Sequence, residues 1–581
     1  MQNLAERIKK RYNALKSDTE RGQWESHCED VARVISPRKR GFISARTPGE
    51  KKMQYVHDST GIHANDLLTA SLHGEATNPA AQWFKIGMSD EHITRAPNVK
   101  KYLSDVEDIM WAHMYSPGTQ ITTAFHELYH DLGAFGSAIV YIRWDEEGEH
   151  LVFNVWPLSE CVFAESNKGI IDTIFRSFTW TVRQVVQEWG IEAVSDKVLE
   201  KYNNDKLEER IEIIHGMYPR PDEEIDKKQA GELSPENMPF ASVYMEADAK
   251  HILENGGYPE QPFAVPRWDK RAGEVYGRSP GMTALPDVNM LQAMNLSMIK
   301  VSQKFADPPT FIPDDADLDP ARLIPGGINR YRGDRSIFQL PPSQGLPLTL
   351  EIMESLRNRI RSAFFIDQMQ FVNDAQMTAT EVMQRTQERM RRMGPIMGRL
   401  ESELLAPMIA RCYGILERMG KLPPRPEELE NRDYTVEYTS PIAMAQKTTE
   451  LDSIPRLFEI VQMYAQDPQS LAQAVQLLPA RKVLQFAIDK LNVDPDMVAS
   501  EDDLAAADQQ AQQQQMMAMA GPARDGAAAL KDVSSAIQQG GATDGENLGA
   551  NIQQGAEGIQ GMMDGVDPEM LKQLQGMMNG Q

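Results

Sequence analysis

The sequence predicts an α+β fold, mainly helical, in which a β-rich region is set into a helical chain. Three observations lead there. Apolar residues recur at steps of three and four over the first ~130 residues and again in 287–306 and 348–366, the helical period. Between 137 and 270 the period drops to two, as in half-buried strands. The chain has 581 residues, 41% hydrophobic and 25% charged, enough to bury several layers.

The elements follow in order. MQNLAERIKKRYNALK has amphipathic helical spacing and lacks the apolar core and cleavage site of a signal peptide. RGQWESHCEDVARVISPRKRGF predicts a helix carrying Trp24, Val31, Val34 and Ile35, stopped at Pro37. Asp58-Ser59-Thr60-Gly61 opens a helix that ends near Asn78-Pro79, and another runs from about Pro97 to Tyr115, ahead of the helix containing HELYH. SAIVYIRWD and HLVFNVWPL flank the turn Glu146-Glu147-Gly148 and predict a hairpin. CVFAES, IIDTIFRSFTWT, ERIEIIHGMYPR, FASVYMEAD and QPFAVPRWDK predict further strands, with a short helix through VRQVVQEWG.

Residues 287–306 place Leu291, Met294, Met298, Val301 and Phe305 on one helical stripe. A Pro- and Gly-rich segment, 307–347, separates it from 348–366, whose apolar face carries Ile352, Leu356, Ile360 and Phe364. Two such helices joined by a compact cap make a long antiparallel stalk. A longer helix from Thr378 to about Met419 carries Met383, Thr386, Met390, Met393, Met397, Leu400 and Leu404, with kinks expected at Gly394-Pro395 and Pro407. Its methionines suit an adaptable contact surface or ordinary core packing. YTVEYTSPIA returns to strand, a helical segment spans about 443–490, and from about Ala505 the chain is low in complexity, rich in Gln, Ala, Gly and Met.

The formal net charge of −24, from 60 basic and 84 acidic residues, argues against tight nucleic-acid binding over the whole surface, though not against a wall past which DNA slides. No apolar run approaches the ~18 residues that span a bilayer, which points to a cytosolic protein or a particle assembled there. Cys28, Cys161 and Cys412 lie far apart without CxxC spacing and are expected to be reduced. There is no phosphate-binding G-x-x-x-x-G-K-[ST] loop, no G-x-S-x-G elbow and no dinucleotide fingerprint, and nothing calls for a cofactor.

One stretch carries a chemical signature. HELYHDLGAFG contains H-E-x-x-H, in which His126 and His130 share a helix face and could hold Zn²⁺ with Glu127 as general base. The third histidine of a metzincin is replaced by Gly136, and the glycines read equally as a helix end turning into a strand. Basic residues form three further clusters: Lys300 with Lys304, Arg357 with Arg361, and Arg385 with Arg389 and Arg392. Each is able to touch phosphates; each also suits a solvated or salt-bridged helix face.

Four segments, in this order, carry a resemblance: HDSTGIHANDLLTASLHGEATNPAAQWFKI, DLGAFGSAIVYI, GGYPEQPFAVPRWDKRAGEVYGRSPGMTALPDVNMLQAMN and MTATEVMQRTQERMRRMGPIMGRLESELLAPMIARCY. Over roughly residues 1–500 the chain resembles the bacteriophage head-to-tail connector, or portal protein, of the short-tailed (podovirus) type. The resemblance implies a portal-type protomer: a wing over 1–286, a first stem helix at 287–306, a clip at 307–347 and a second stem helix at 348–366. It further implies a tunnel-loop region and return to the wing over 367–442, a helical crown at 443–505, and a tail, 506–581, outside the match.

Such subunits form a ring of twelve at one capsid vertex of the virion, assembled in the host cytoplasm. Double-stranded DNA passes through it, driven in by a separate terminase and released at infection. Tail adaptor proteins dock on the clip, where Phe311, Tyr331 and Phe338 would be aromatic anchors, and major capsid and scaffolding proteins surround the ring. The three basic clusters become candidates for the channel wall. Twelve copies would carry twelve times −24, or −288, formal charges, repelling the duplex from the sides. The resemblance implies no enzyme, cofactor or membrane. The rival readings are a zinc endopeptidase using His126, Glu127 and His130, and a capsid-interior or ejection protein that forms no ring.

Overall fold

The computed structural model describes residues 2–43, 49–88, 97–221, 234–313, 324–325, 327–331, 338–339, 346–366, 393–426, 429 and 434–438. The chain divides into two units, 1–492 and 493–581, and the described residues lie in the first. The expectations for 443–505, for 506–581 and for Met383, Thr386 and Met390 fall outside them.

The N-terminal helix α1 (Gln2–Lys16) buries Ala5, Ile8 and Tyr12. Helix α2 (Thr19–Val34) gives way to a 3-10 turn at Pro37, as a residue without an amide hydrogen demands. Helices α3 (Thr60–Ala76), α4 (Pro97–Met114) and α5 (Ile121–Phe135) then build the main core, with Leu68, Leu72, Val106, Met110, Leu128 and Leu132 all buried. Between α3 and α4 lies a strand that periodicity did not reveal, β1 (Phe84–Met88). Its five residues include a glycine, and its antiparallel partner is β13 (Tyr434–Tyr438), with Phe84 opposite Tyr438. A strand this short is recognisable only with its distant partner beside it.

The β-rich region holds two sheets. Strands β2 (Val140–Asp145) and β3 (His150–Val155) form the expected hairpin, and β9 (Phe263–Ala264) pairs with β2 on its other side. The strand expected through QPFAVPRWDK contracts to those two residues, because Pro262 and Pro266 lack the N–H a ladder requires. Their carbonyls instead accept from Ile142 and Ala138.

The larger sheet is antiparallel in sequence order: β4 (Cys161–Glu165), β5 (Ile171–Thr181), β6 (Arg210–Pro219), β7 (Phe240–Glu246) and β8 (His251–Tyr258). Sequence reading missed β8, whose polar and glycine-rich HILENGGY sits at the sheet edge and buries chiefly Leu253. Alternation along β6 divides the faces. Ile214 and Tyr218 pack with α1, whereas Ile211 and Ile213 pack with α6 (Val182–Trp189) and α7 (Asp196–Asn203). Helix α6 starts on a capping box in which Thr181 and Gln184 satisfy each other's backbone amides.

Beyond the sheets, α8 (Pro280–Ala306) and α9 (Leu346–Ala363) run antiparallel, with Asp287 near the start of one 2.8 Å from Arg359 near the end of the other. At 1.5 Å per residue, α8 is about 40 Å long. It starts seven residues before the expected 287: the Ser279 side chain caps Met282 N, Pro280 occupies the first turn, and Pro286 is carried inside the helix. Two apolar positions differ from expectation. Phe305 is 61% exposed, because the buried residues of α8 end at Gln292 and the helix continues away from the core. Ile352 is 39% exposed, and Met353 takes the inward position with Leu356, Ile360 and Phe364. A run of steps of four drifts about 40° per step, so the contact line needs one step of three.

Between the two helices, where no strands were expected, β10 (Thr310–Pro313) pairs in parallel with β11 (Ile328–Tyr331) and antiparallel with β12 (Phe338–Gln339). Residues 393–400 are helical through Gly394 and Pro395. The irregularity falls later, as a π-helical turn, Glu401–Leu405, leading into α10 (Ala406–Arg418). Pro407 donates no hydrogen bond to the preceding turn, and the wider turn absorbs the mismatch. Met393, Met397, Leu400 and Leu404 are buried in the main core.

Candidate functional site

The helix pair α8/α9 stands on a polar clamp. Asp58, 7% exposed, accepts from Arg357 Nη2 at 3.0 Å and from Asn295 Nδ2 at 3.0 Å. Gln292 completes the clamp, donating to the Asp58 carbonyl at 2.6 Å and accepting from the amides of His57 and Asp58 at 2.6 and 2.9 Å. One short loop before α3 thus fixes both helices. Burial alone would raise the Asp58 carboxyl, but hydrogen bonds from Thr60 and Arg357 hold it below the usual carboxylate range.

The start of α8 is locked by close backbone approach. Gly136 ends α5 in the left-handed conformation, φ 78°, and its carbonyl accepts from Trp268 N at 2.9 Å. A Cβ on Gly136 would lie 2.6 Å from the Arg278 carbonyl carbon, and one on Gly277 would lie 2.0 Å from the Gly136 oxygen. Ser137 Oγ accepts from Gly277 N at 3.0 Å, and Ser279 Oγ donates to Ala134 O at 2.7 Å. The stretch after HELYH is therefore a packing joint between α5, β2 and α8.

A second lock surrounds Arg267, 1% exposed. It contacts Glu403 at 2.7 Å and Glu165 at 3.0 Å, and donates to the carbonyls of Gly169 and Val275. Glu403 belongs to the π-helical turn, so the extra turn width aims this carboxylate at the buried guanidinium. Burial works against the charge on Arg267, and the two carboxylates more than restore it. Sequence reasoning gave this arginine no role; the available signal was a cation inside the apolar run AVPRW.

The residues singled out by motif lie apart from these locks. His126 is exposed, and Glu127 is ion-paired with Lys39 at 2.9 Å. His130 Nε2 is 3.7 Å from Asp66. Among the described residues, no group of three or more His, Cys, Asp or Glu side chains is placed to hold a metal ion. Cys28, Cys161 and Cys412 are buried and free. Arg357 and Arg361 are both paired with Glu354, at 3.2 and 3.3 Å. Lys300 and Lys304 are exposed. Arg385, Arg389 and Arg392 lie outside the described residues. Phe311 is half-buried opposite Phe338 in the small sheet, and Tyr331 ends β11. No described helix is long and apolar enough to cross a membrane.

The family model for bacteriophage head to tail connecting protein matches residues 5–498. The chain belongs to that family. Among curated proteins, this head-to-tail connecting protein is similar to the probable portal protein of Bordetella phage BPP-1, 30% identical over 501 residues, 84% of this chain and 88% of the relative. It is also similar to the portal protein of Salmonella phage epsilon15, 29% identical over 502 residues, 84% and 85% of the two chains. In the connector fold, three of the segments that carried the resemblance converge. Asp58 at the head of α3, Gly136 after α5 and the 267–295 stretch leading into α8 all meet at the foot of the helix pair.

Proposed function

We propose that this chain is the portal subunit of a phage, a structural protein whose copies close into a ring at one capsid vertex and form the DNA channel. The observation that carries the reading is the family match over nearly the whole chain, joined to a helix pair that leaves the core. In this reading α8 and α9 are the stem, the small sheet between them belongs to the clip, and the rest of the described chain is the wing. The crown and tail assignments keep their sequence-based bounds, 443–505 and 506–581. Twelve copies would surround the duplex, which a terminase drives inward and which leaves by the same route.

The clip, with Phe311, Tyr331 and Phe338, is the docking surface for terminase and then for tail adaptor proteins, while capsid and scaffolding proteins contact the wing. Of the stem cations, Arg357 and Arg361 are engaged within the chain, which favours a bracing role. Lys300 and Lys304 remain for a partner outside it. The acidic balance of the chain favours a wall that repels the duplex and lets it slide.

Interrupting the gene in its phage tests the proposal. Heads empty of DNA, filled again when the intact chain is supplied from a plasmid, are expected. DNA-filled heads in the interrupted phage would refute it.

A further inference from the structure

The three arginines on the last turns of α9 are each held by a carboxylate of the same chain: Arg357 by Asp58, Arg359 by Asp287 and Arg361 by Glu354. Lys300 and Lys304 on α8 differ. Both are exposed and make no ion pair or hydrogen bond with a described residue. On α9, Glu351 is likewise exposed and unpaired among the described residues.

Exposed apolar side chains flank these charges. Lys300 stands between Ile299, 43% exposed, and Val301, and Lys304 precedes Phe305, 61% exposed. Glu351 stands between Leu350, 54% exposed, and Ile352, 39% exposed. Successive helix residues are about 100° apart, so Lys300 and Glu351 each sit on a ridge with an apolar shoulder on either side, and Lys304 has Phe305 on one side and Gln303 on the other. Phosphates or water would satisfy the lysines and leave those shoulders wet. A protein surface with the same ridge pattern and the opposite charge would satisfy both, and the other helix of this hairpin is such a surface. Within one chain the two ridges do not meet, because α8 and α9 pack through other faces, with Leu291 and Leu356 buried and Asp287 paired with Arg359.

We propose that the α8 ridge of one copy docks on the α9 ridge of the next, with Lys300 and Lys304 facing Glu351 of the partner subunit. The contact is head-to-tail, and repeating it closes a ring when its rotation is a whole fraction of a turn with no rise, as the ring reading requires. The inference rests on the ring reading above and supplies the stem part of its subunit interface.

A charge swap in the full-length chain tests it. K300E/K304E and E351K are each expected to raise the protein concentration at which rings half-form by about tenfold, since like charges then face each other across the contact. Combining the three substitutions is expected to restore assembly to within about threefold of wild type. Added salt should weaken the wild-type ring. The thermal midpoint of the unassembled variants should match wild type, because none of the three side chains has a partner among the described residues. Ring yield unmoved by K300E/K304E overturns this pairing while leaving the ring intact. If DNA packaging alone then falls, the lysines face the duplex. A wild-type chain that never closes into rings overturns the ring reading itself, and the pairing with it.

Discussion

His215 lies fully buried in β6, its ring stacked on Tyr244 with centroids 3.7 Å apart and its Nε2 2.9 Å from the Ser242 hydroxyl. Burial, with a smaller contribution from Arg176, lowers its pKa from 6.5 to about 3. Between those values the unfolded chain takes up a proton that the folded chain refuses, so acid favours unfolding by as much as about 1.4 kcal/mol per pH unit. Stability measured by urea titration should fall as pH drops from 6.5 toward 3, and H215F should flatten that slope while keeping the stack. Arg267 presents the opposite case, a buried cation with carboxylates on two sides. R267A would leave Glu165 to Lys270 alone and Glu403 to Arg399 at 3.5 Å, and would strip both carboxylates of their buried partner, so a loss of about 2–3 kcal/mol in unfolding free energy is expected. These residues also mark how far single positions are legible. HELYH drew attention through its spacing, yet in the structure it lies on a core helix whose exposed edge carries His126 and Glu127, the latter paired with Lys39. Arg267 was silent, because its meaning comes from Glu403, 136 residues away, and from a π-helical turn that no local pattern announces.

At the scale of elements, the foot of the helix pair governs the direction in which α8 and α9 leave the core. G277A would place a methyl group 2.0 Å from the Gly136 oxygen and 2.8 Å from its carbonyl carbon, backbone atoms that cannot swing aside as a flexible side chain can. A loss of about 3 kcal/mol is expected, read as a lowered thermal midpoint. D58A releases Asn295 and Arg357 together. Its global stability should drop by about 1–3 kcal/mol, and amide exchange should accelerate in α9 ahead of the five-stranded sheet. The helices of the first 135 residues, the hairpin β2–β3 and strands β4 to β7 were legible, because each carries its own period and its own stop. Strands β1 and β8 were not, since one is five residues long and the other is a polar sheet edge. The early start of α8 was hidden by Pro286, which reads as a helix start and is instead tolerated within the helix.

For the whole molecule, order along the chain carried more information than any motif. Three segments, joined by contacts that reach across 237 residues from Asp58 to Asn295, meet at the foot of the helix pair, and all three lie within the family match over residues 5–498. The exposed Phe305, Leu348, Leu350 and Ile352 have no cover within the described chain. On an isolated protein they are a liability; in a ring of stems they become interface. The native mass of the purified full-length chain, measured by light scattering, tests this most directly. A species near twelve times 65.4 kDa, about 785 kDa, is expected. A chain that stays at 65.4 kDa at every concentration would contradict it.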